Sequence, residues 1–177
     1  MAESSSKPGG PQAILITQKF ASLGGSQVSL VHTLRLLDRM RFAPHVVVSN
    51  EGWLTQQLDA LRVPWTRAKF GHATGLGALP ANLLLTRKLK RHIQQHDIRL
   101  LHANEHWVGP QSLRAARAAG VPAVCHFRTG LEDLTPRRIR NYRYAEFDRV
   151  LVVAEVLRAA MAKEVPDASR LVVVRDG

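Results

Sequence analysis

The sequence predicts a single α/β domain with a Rossmann-like, doubly wound, mainly parallel sheet and helices on both faces. Short apolar runs recur along the chain, and most are continuous rather than alternating, which is typical of strands buried on both faces of a parallel sheet. Segments with helical signals separate these runs, as expected for βαβ units. The runs cover residues 14–16, 46–48, 100–101, 123–125, 150–153 and 171–174, with a weaker strand at 65–68.

Three of the intervening segments predict helices. The first covers about 28–40 and presents the apolar residues Leu30, Val31, Leu34 and Leu37 at helical spacing. The second covers 80–96, with an inward face predicted to consist of Leu84, Leu85, Leu89 and Ile93. The third begins at Gly109-Pro110 and is expected to end at Gly120 in a left-handed cap.

Composition narrows the class of protein. With 25 Lys+Arg against 14 Asp+Glu, the formal net charge of +11 favours polyanionic partners: nucleic acid, anionic lipid headgroups or diphosphate ligands. The single cysteine, Cys125, excludes an intrachain disulfide, and no apolar run approaches membrane-spanning length. We therefore expect a cytoplasmic protein. Residues 1–12 are expected to be a disordered lead or cloning remnant, and 13–177 the domain.

Three polar segments follow predicted strands: Gly24-Gly25-Ser26, residues 102–106 and residues 126–130. In an open parallel sheet, ligands bind beyond the carboxyl ends of the strands, where the strand order reverses. The sequence therefore predicts that these three segments converge on one crevice.

Gly24-Gly25-Ser26 lies between the first strand and the first helix. A glycine pair at this point leaves backbone N–H groups uncovered at the positive end of the helix dipole, which predicts phosphate or anion binding. The alternative is a flexible turn in which Ser26 is the N-cap residue.

His126 lies two residues before Arg128 in the third polar segment. A neutral imidazole can donate a hydrogen bond to a sugar hydroxyl, and an arginine can hold a phosphate. The alternative for His126 is a buried histidine of the core.

Two other patterns suggest enzymes of other classes. His102, Glu105 and His106 match H-x-x-E-H, but that zinc motif needs both histidines on one helix, whereas His102 continues a strand, so we interpret the match as coincidence. Glu51 follows the second strand, where an acid would bind a ribose, but G-x-G-x-x-G is absent, which argues against a nicotinamide dinucleotide site.

Two basic segments remain, a helix face at 87–91 and residues 136–144. The second combines arginines with aromatic residues, which suits a membrane headgroup layer or a stacked, charged ligand. No recognised nucleic-acid module is present, so nucleic acid is the less favoured partner. The candidate contacts are Arg137, Arg138, Arg140, Tyr142 and Arg143.

From residue 13 to 177 the chain resembles the N-terminal domain of a retaining GT-B glycosyltransferase of family 4. Four segments carry the resemblance, in order and spacing: 23–26, 42–48, 98–105 and 121–126. The resemblance ends at Val174-Arg175-Asp176-Gly177, where the family usually has Val-x-Asn-Gly.

The resemblance implies a transferase that moves a hexose-like sugar from a nucleotide-sugar donor to a glycan or lipid-linked acceptor. It implies that Gly24, Gly25 and Ser26 contact the donor diphosphate and that His126 contacts the transferred sugar near the reacting carbon. It also implies that Asn104 and Glu105 line the acceptor side. The arginine–tyrosine segment would lie on the cytoplasmic membrane face. Nothing in the sequence requires a metal, or a cofactor other than the nucleotide-sugar substrate.

In that family a second, C-terminal Rossmann domain holds most of the donor site. We therefore expect this chain to need that domain as its partner and to have no transferase activity alone. Three alternatives remain: a non-catalytic basic module that binds anionic membrane or nucleic acid, a related sugar epimerase, and a dinucleotide enzyme.

Overall fold

The computed structural model describes residues 10–71 and 79–175, and these contain one seven-stranded sheet. Its strands are β1 (Gln12–Gln18), β2 (Phe42–Val48), β3 (Trp65–Arg67), β4 (Ile98–Ala103), β5 (Ala123–Phe127), β6 (Arg149–Val152) and β7 (Leu171–Val173). Their order is β3-β2-β1-β4-β5-β6-β7, and every pairing is parallel. The predicted doubly wound α/β fold and all seven predicted strands are confirmed.

The α-helices of the described residues are α1 (Gly25–Leu36), α2 (Trp53–Ala60), α3 (Leu79–Gln95), α4 (Gly109–Ala119), α5 (Pro136–Tyr142) and α6 (Glu155–Met161). The predicted helices correspond to α1, α3 and α4. The range predicted for the first, about 28–40, was wrong at both ends. The helix begins at Gly25 and ends at Leu36, and a turn follows in which the N–H groups of Arg41 and Phe42 donate to the carbonyl oxygen of Asp38. None of these helices is both long enough and apolar enough to cross a membrane.

Gly120 ends α4 as predicted. Its φ of 74° lies in the left-handed region, and its N–H donates to the carbonyls of Ala116 and Arg117. The left-handed region is accessible to glycine at little cost, whereas a residue with a Cβ would be strained there. Pro122 follows two residues later, so the chain enters β5 in an extended conformation.

The core has two layers, one on each face of the sheet. Alternate residues of β1 separate them, with Ile16 packing against α1 and α2, and Leu15 packing among residues of the face covered by α3 and α4. This alternation is the period-2 geometry of a strand that is buried on both sides.

The predicted inward face of α3 was wrong at one position. Leu84 is 65% exposed, whereas Leu89 is only 1% exposed. The buried positions of α3 are Asn82, Leu85, Leu89 and Ile93, which recur at the helical period. Asn82 is accommodated because its Oδ1 accepts a hydrogen bond of 2.9 Å from Nε2 of Gln111.

The contrast between Leu89 and Leu84 gives a test of this packing. We expect Leu89→Ala to lower the free energy of unfolding by about 2–5 kcal/mol, because it leaves a cavity in the core. We expect Leu84→Ala to change it by less than about 0.5 kcal/mol, because that side chain is at the surface. Urea denaturation of both variants measures this, and similar losses in the two would contradict the packing of α3.

Candidate functional site

A crevice opens at the carboxyl ends of the central strands, beside the point where β1 pairs with β2 on one side and β4 on the other. It encloses about 730 Å³. Residues from all three predicted polar segments line it, so their predicted convergence is confirmed. These residues are Gly25, Ser26, His102, Asn104, His126 and Arg128.

The N-terminus of α1 forms one wall of the crevice. The helix begins at Gly25, and Gly24 is its N-cap residue, in extended conformation and without a side-chain cap. The interpretation of Ser26 as the N-cap was therefore wrong, since Ser26 already lies in the first turn. No acidic residue occupies that turn, so its unpaired N–H groups carry the positive end of the helix dipole.

Gly25 keeps the approach to these N–H groups open. A Cβ built on Gly25 would meet no atom within 4 Å, and the residue lines the cavity. The missing side chain therefore leaves space in the crevice rather than relieving a clash inside the domain. An anion can reach the helix N-terminus through this space.

Asn104 joins the three segments. It is fully buried, and its Nδ2 donates to Oε1 of Gln18 at 2.7 Å and to the carbonyl oxygen of Ser26 at 3.2 Å. Its Oδ1 accepts from Nη2 of Arg128 at 3.3 Å. One amide thus connects the end of β1, the start of α1 and the segment after β5, and fixes their relative positions.

Glu105 lies at the positive end of α1. The hydroxyl of Ser26 donates to Glu105 Oε1, while Glu105 Oε2 is buried and has no hydrogen-bond partner within the described residues. A carboxylate is favourable beside a helix N-terminus. Neither Glu105 nor Gly24 is among the residues that line the crevice.

Arg128 places a positive charge beside the same helix. Its Nη1 donates to Oγ of Ser29 at 2.8 Å, one turn beyond Gly25 on α1. The guanidinium and the helix dipole therefore contribute positive potential to one region of the crevice. This arrangement favours a phosphate group.

Two imidazoles line the crevice, the buried ring of His126 and the half-buried ring of His102. The two rings are stacked, with 6.0 Å between centroids. Burial, followed by the charge of Arg128, lowers the pKa of His102 to about 4. His102 is therefore neutral at physiological pH.

The predicted contacts on the arginine–tyrosine segment do not line this crevice. They lie on α5 and its C-cap, where Arg138 pairs with Asp133 and Arg143 forms a bidentate ion pair with Glu146 at 2.5 and 2.6 Å. Tyr142 packs edge-on against the ring of Trp107. Arg137 and Arg140 are exposed.

The family of glycosyl transferase 4-like domains matches residues 24–177 of the chain. The chain belongs to this family. No curated protein sequence matches it. The match bears out the resemblance to the N-terminal domain of a family 4 GT-B enzyme.

Solved structures share the fold of this glycosyl transferase 4-like domain. HepE of Anabaena, in complex with UDP and glucose, has a TM-score of 0.71 at 18% identity over 94% of this chain and 44% of its own. A glycosyltransferase of Rickettsia africae has a TM-score of 0.65 at 13% identity over 93% and 43%. A Listeria monocytogenes protein named as a candidate UDP-N-acetylglucosamine 2-epimerase has a TM-score of 0.61 at 11% identity over 91% of this chain and 44% of its own. The chain thus spans less than half the length of these proteins.

The H-x-x-E-H match in this glycosyl transferase 4-like domain does not bring its two histidines together on a helix. His102 is on β4 and lines the crevice, whereas His106 packs against the rings of Trp107, Phe127 and Tyr142. Burial, together with the charge of Arg138, lowers the pKa of His106 to about 4. Glu51, the acid of the dinucleotide hypothesis, is exposed.

Sequence reasoning missed two residues that shape the site. Gln18 is buried at the end of β1, and Ser29 holds Arg128. Two signals were available: a polar residue ending an apolar strand, and a serine four positions after Gly25 on the same helix face.

The depressed pKa of His102 predicts a pH dependence of stability. The folded-state pKa of about 4 lies below the ordinary 6.5, so the stabilisation is present above pH 6.5 and is lost as pH falls towards 4. On this basis the free energy of unfolding falls by about 3 kcal/mol between pH 7 and pH 4, and we expect His102→Gln to abolish this part of the pH dependence. Urea denaturation between pH 7 and pH 4 measures the difference. His32→Gln, at an exposed histidine, is the control, and equal pH slopes for His102→Gln and the unsubstituted protein would contradict the assignment.

Proposed function

We propose that this domain is the N-terminal, acceptor-side half of a glycosyltransferase that transfers a hexose-type sugar from a nucleotide-sugar donor to a glycan or lipid-linked acceptor. The observation that carries the proposal is the crevice of about 730 Å³ in which the open N-terminus of α1, Arg128 and the imidazoles of His102 and His126 meet. Family membership supports the reaction class. The UDP and glucose bound by HepE support a nucleotide sugar as donor.

The donor diphosphate is assigned to the wall formed by α1. The N–H groups of Gly25 and Ser26 are in the first helical turn, where N–H groups have no partner within the helix. Arg128, held by Ser29 and Asn104, adds a fixed positive charge. As the sugar–phosphate bond breaks, negative charge grows on the departing diphosphate, and these preorganised groups stabilise it.

The transferred sugar is assigned to the region of His126, and the acceptor to the region of Glu105. His126, on β5, lines the cavity and offers a hydrogen bond to a sugar hydroxyl. The acceptor role of Glu105 rests on the family resemblance, because Glu105 adjoins the crevice through its hydrogen bond with Ser26 and does not line it. Asn104 acts as a positioning residue, because its amide is already bonded to Gln18, Ser26 and Arg128.

The remaining donor contacts come, in this proposal, from a second Rossmann domain that closes over the crevice. The chain covers only 44% of HepE, and the domain that would provide these contacts corresponds to the part of HepE that it does not cover. Closure excludes water and aligns donor with acceptor, and the isolated domain therefore lacks transferase activity. No metal or cofactor is assigned to the transfer.

The free thiol of Cys125 and the nucleotide-sugar substrate support a cytoplasmic location.

Gly25→Ala separates function from folding. We expect the free energy of unfolding to stay the same or to rise by up to about 1 kcal/mol, because alanine favours the helix and its Cβ meets open space. We expect kcat/KM to fall by about 100-fold, because the methyl group obstructs the approach to the helix N–H groups. Transfer and hydrolysis of a panel of nucleotide sugars, including UDP-glucose, are measured with the polypeptide encoded by the complete gene.

His126→Ala in the same assay tests the sugar side of the crevice. A loss of about 10–100-fold is expected for the removal of one hydrogen bond to the sugar. Unchanged activity in both variants would refute the assignment of this crevice. Conversion of a UDP-sugar to its epimer without an acceptor would instead identify an epimerase.

A specific surface also supports association with an anionic membrane. Trp107 and Leu131 are 39% and 50% exposed, and α5 presents Arg137 and Arg140 to solvent. Aromatic and basic side chains at one surface are typical of peripheral binding to anionic headgroups. A lipid-linked acceptor would be reached from such a surface. We propose that α5 and Trp107 face the membrane.

Paired charge variants test this contact. We expect Arg137→Ala with Arg140→Ala to reduce binding to phosphatidylglycerol vesicles by about 10-fold or more, at about 1 kcal/mol per basic residue. Arg87→Ala with Arg91→Ala on α3 removes the same charge elsewhere and is the control. Cosedimentation with anionic and neutral vesicles is the measurement. Equal losses in the two double variants would indicate a general effect of net charge and refute a specific face.

A further inference from the structure

Three histidines lie together on the face of the sheet covered by α3. His45 is on β2, His92 is in the last turn of α3, and His96 follows that helix. The N–H of His96 donates to the carbonyl of His92 at 3.1 Å, so the helical turn continues to His96. Residues four apart on a helix lie on the same face, which directs both imidazoles towards β2.

The distances are close to those of a coordination site. One nitrogen from each ring lies within 4.8 Å of the other two. The centroids of His92 and His96 are 4.3 Å apart, and that of His45 lies 4.6 Å from His96 and 5.7 Å from His92. Zinc–imidazole bonds of about 2.0–2.1 Å in tetrahedral geometry place nitrogens about 3.3 Å apart. Side-chain rotations that bring the three nitrogens about 1.5 Å closer to one another would reach this geometry.

His92 has a ring nitrogen available to a metal ion. Nε2 of His92 is buried and has no hydrogen-bond partner within the described residues. Burial, followed by the charges of His96, His45 and Lys88, lowers the pKa of His92 to about 4. Burial and His96 lower the pKa of His45 as well. Neutral imidazoles are the form that binds metal.

The surroundings restrict the kind of ion. A cavity of about 300 Å³ is lined by His92 and His96, though not by His45, and it leaves room for a water ligand beside these two rings; Lys88 and Arg91 also line it. The Lys88 ammonium donates to the carbonyl oxygen of Arg67 at 2.5 Å. Hard cations such as Mg²⁺ and Ca²⁺ need oxygen ligands, whereas three imidazoles suit Zn²⁺ and its first-row neighbours.

We propose that His45, His92 and His96 bind one Zn²⁺-class ion through three imidazole nitrogens, with water as the fourth ligand. The ion would fasten the end of α3 to β2. His96 precedes the first residue of β4 by two positions, at the amino end of the strand, whereas the sugar crevice lies at the carboxyl ends. The site is therefore structural and independent of the transfer reaction.

Metal titration of the chain, prepared without a polyhistidine tag and stripped with chelator, tests the proposal. We expect one Zn²⁺ per chain by calorimetry, and tetrahedral d–d absorption bands when Co²⁺ replaces it. At free Zn²⁺ of about 100 times Kd, the melting temperature should rise by about 5–10 °C. His92→Ala and His96→Ala should each abolish this rise, whereas His32→Ala, at an exposed histidine outside the cluster, should retain it.

His96 is exposed, so His96→Ala remains informative if His92→Ala fails to fold. Absence of a melting shift in the unsubstituted protein, or an octahedral Co²⁺ spectrum, would overturn the proposal. An equal loss of binding in His32→Ala and His96→Ala would also overturn it, because it would indicate dispersed surface binding. The readouts are independent of glycosyl transfer, so they do not depend on the function proposed for the crevice.

Discussion

The pairing of β1 with β4 is the constraint on which the rest of the structure depends. From β1 the chain crosses outward to β2 and β3 on one side, and α3 then carries it back to β4 on the other. Parallel crossovers are right-handed. The connections that run from β1 outward to β3 therefore place their helices on one face of the sheet, and the connections that run from β3 to β4 and onward to β7 place theirs on the opposite face. The segments after β1 and β4 therefore diverge. The crevice is the space between them, and its position follows from strand order rather than from any one side chain.

Asn104 converts that space into a defined site. Strand order brings the segments after β1, β4 and β5 to the same edge, but it leaves their separations open. The buried amide fixes them through Gln18, Ser26 and Arg128. A buried polar side chain is tolerated when its donors and acceptors are paired, and the same pairing restricts each partner to one geometry. The arginine is thereby held beside the start of α1, and positive potential is concentrated on one wall.

The sequence predicted the strands well because continuous apolar runs are a strong signal for a parallel sheet. It predicted the helices less well. The segment that forms α5 was interpreted only as basic and aromatic, not as a helix. In α3, Leu84 fits a helical pattern, but Asn82 takes the inward position instead. Gly25 and Arg128 were predicted to reach the crevice because they follow strands, and both line it. Gln18, Ser29 and the role of Asn104 were missed, because their bonds join residues far apart in the chain. The histidine cluster was missed for the same reason.

Three glycines show how requirements of folding and of function can be separated. Gly120 is explained by its φ of 74°, and Gly52 by the carbonyl oxygen of Ala21, which a Cβ would approach to 2.9 Å. Neither reason applies to Gly25, whose Cβ would meet no atom within 4 Å and whose backbone is ordinary helix. Alanine would stabilise a helix at such a position more than glycine does. The absence of a side chain at Gly25 therefore has no explanation inside the domain, and the phosphate group that we propose for the crevice would supply one.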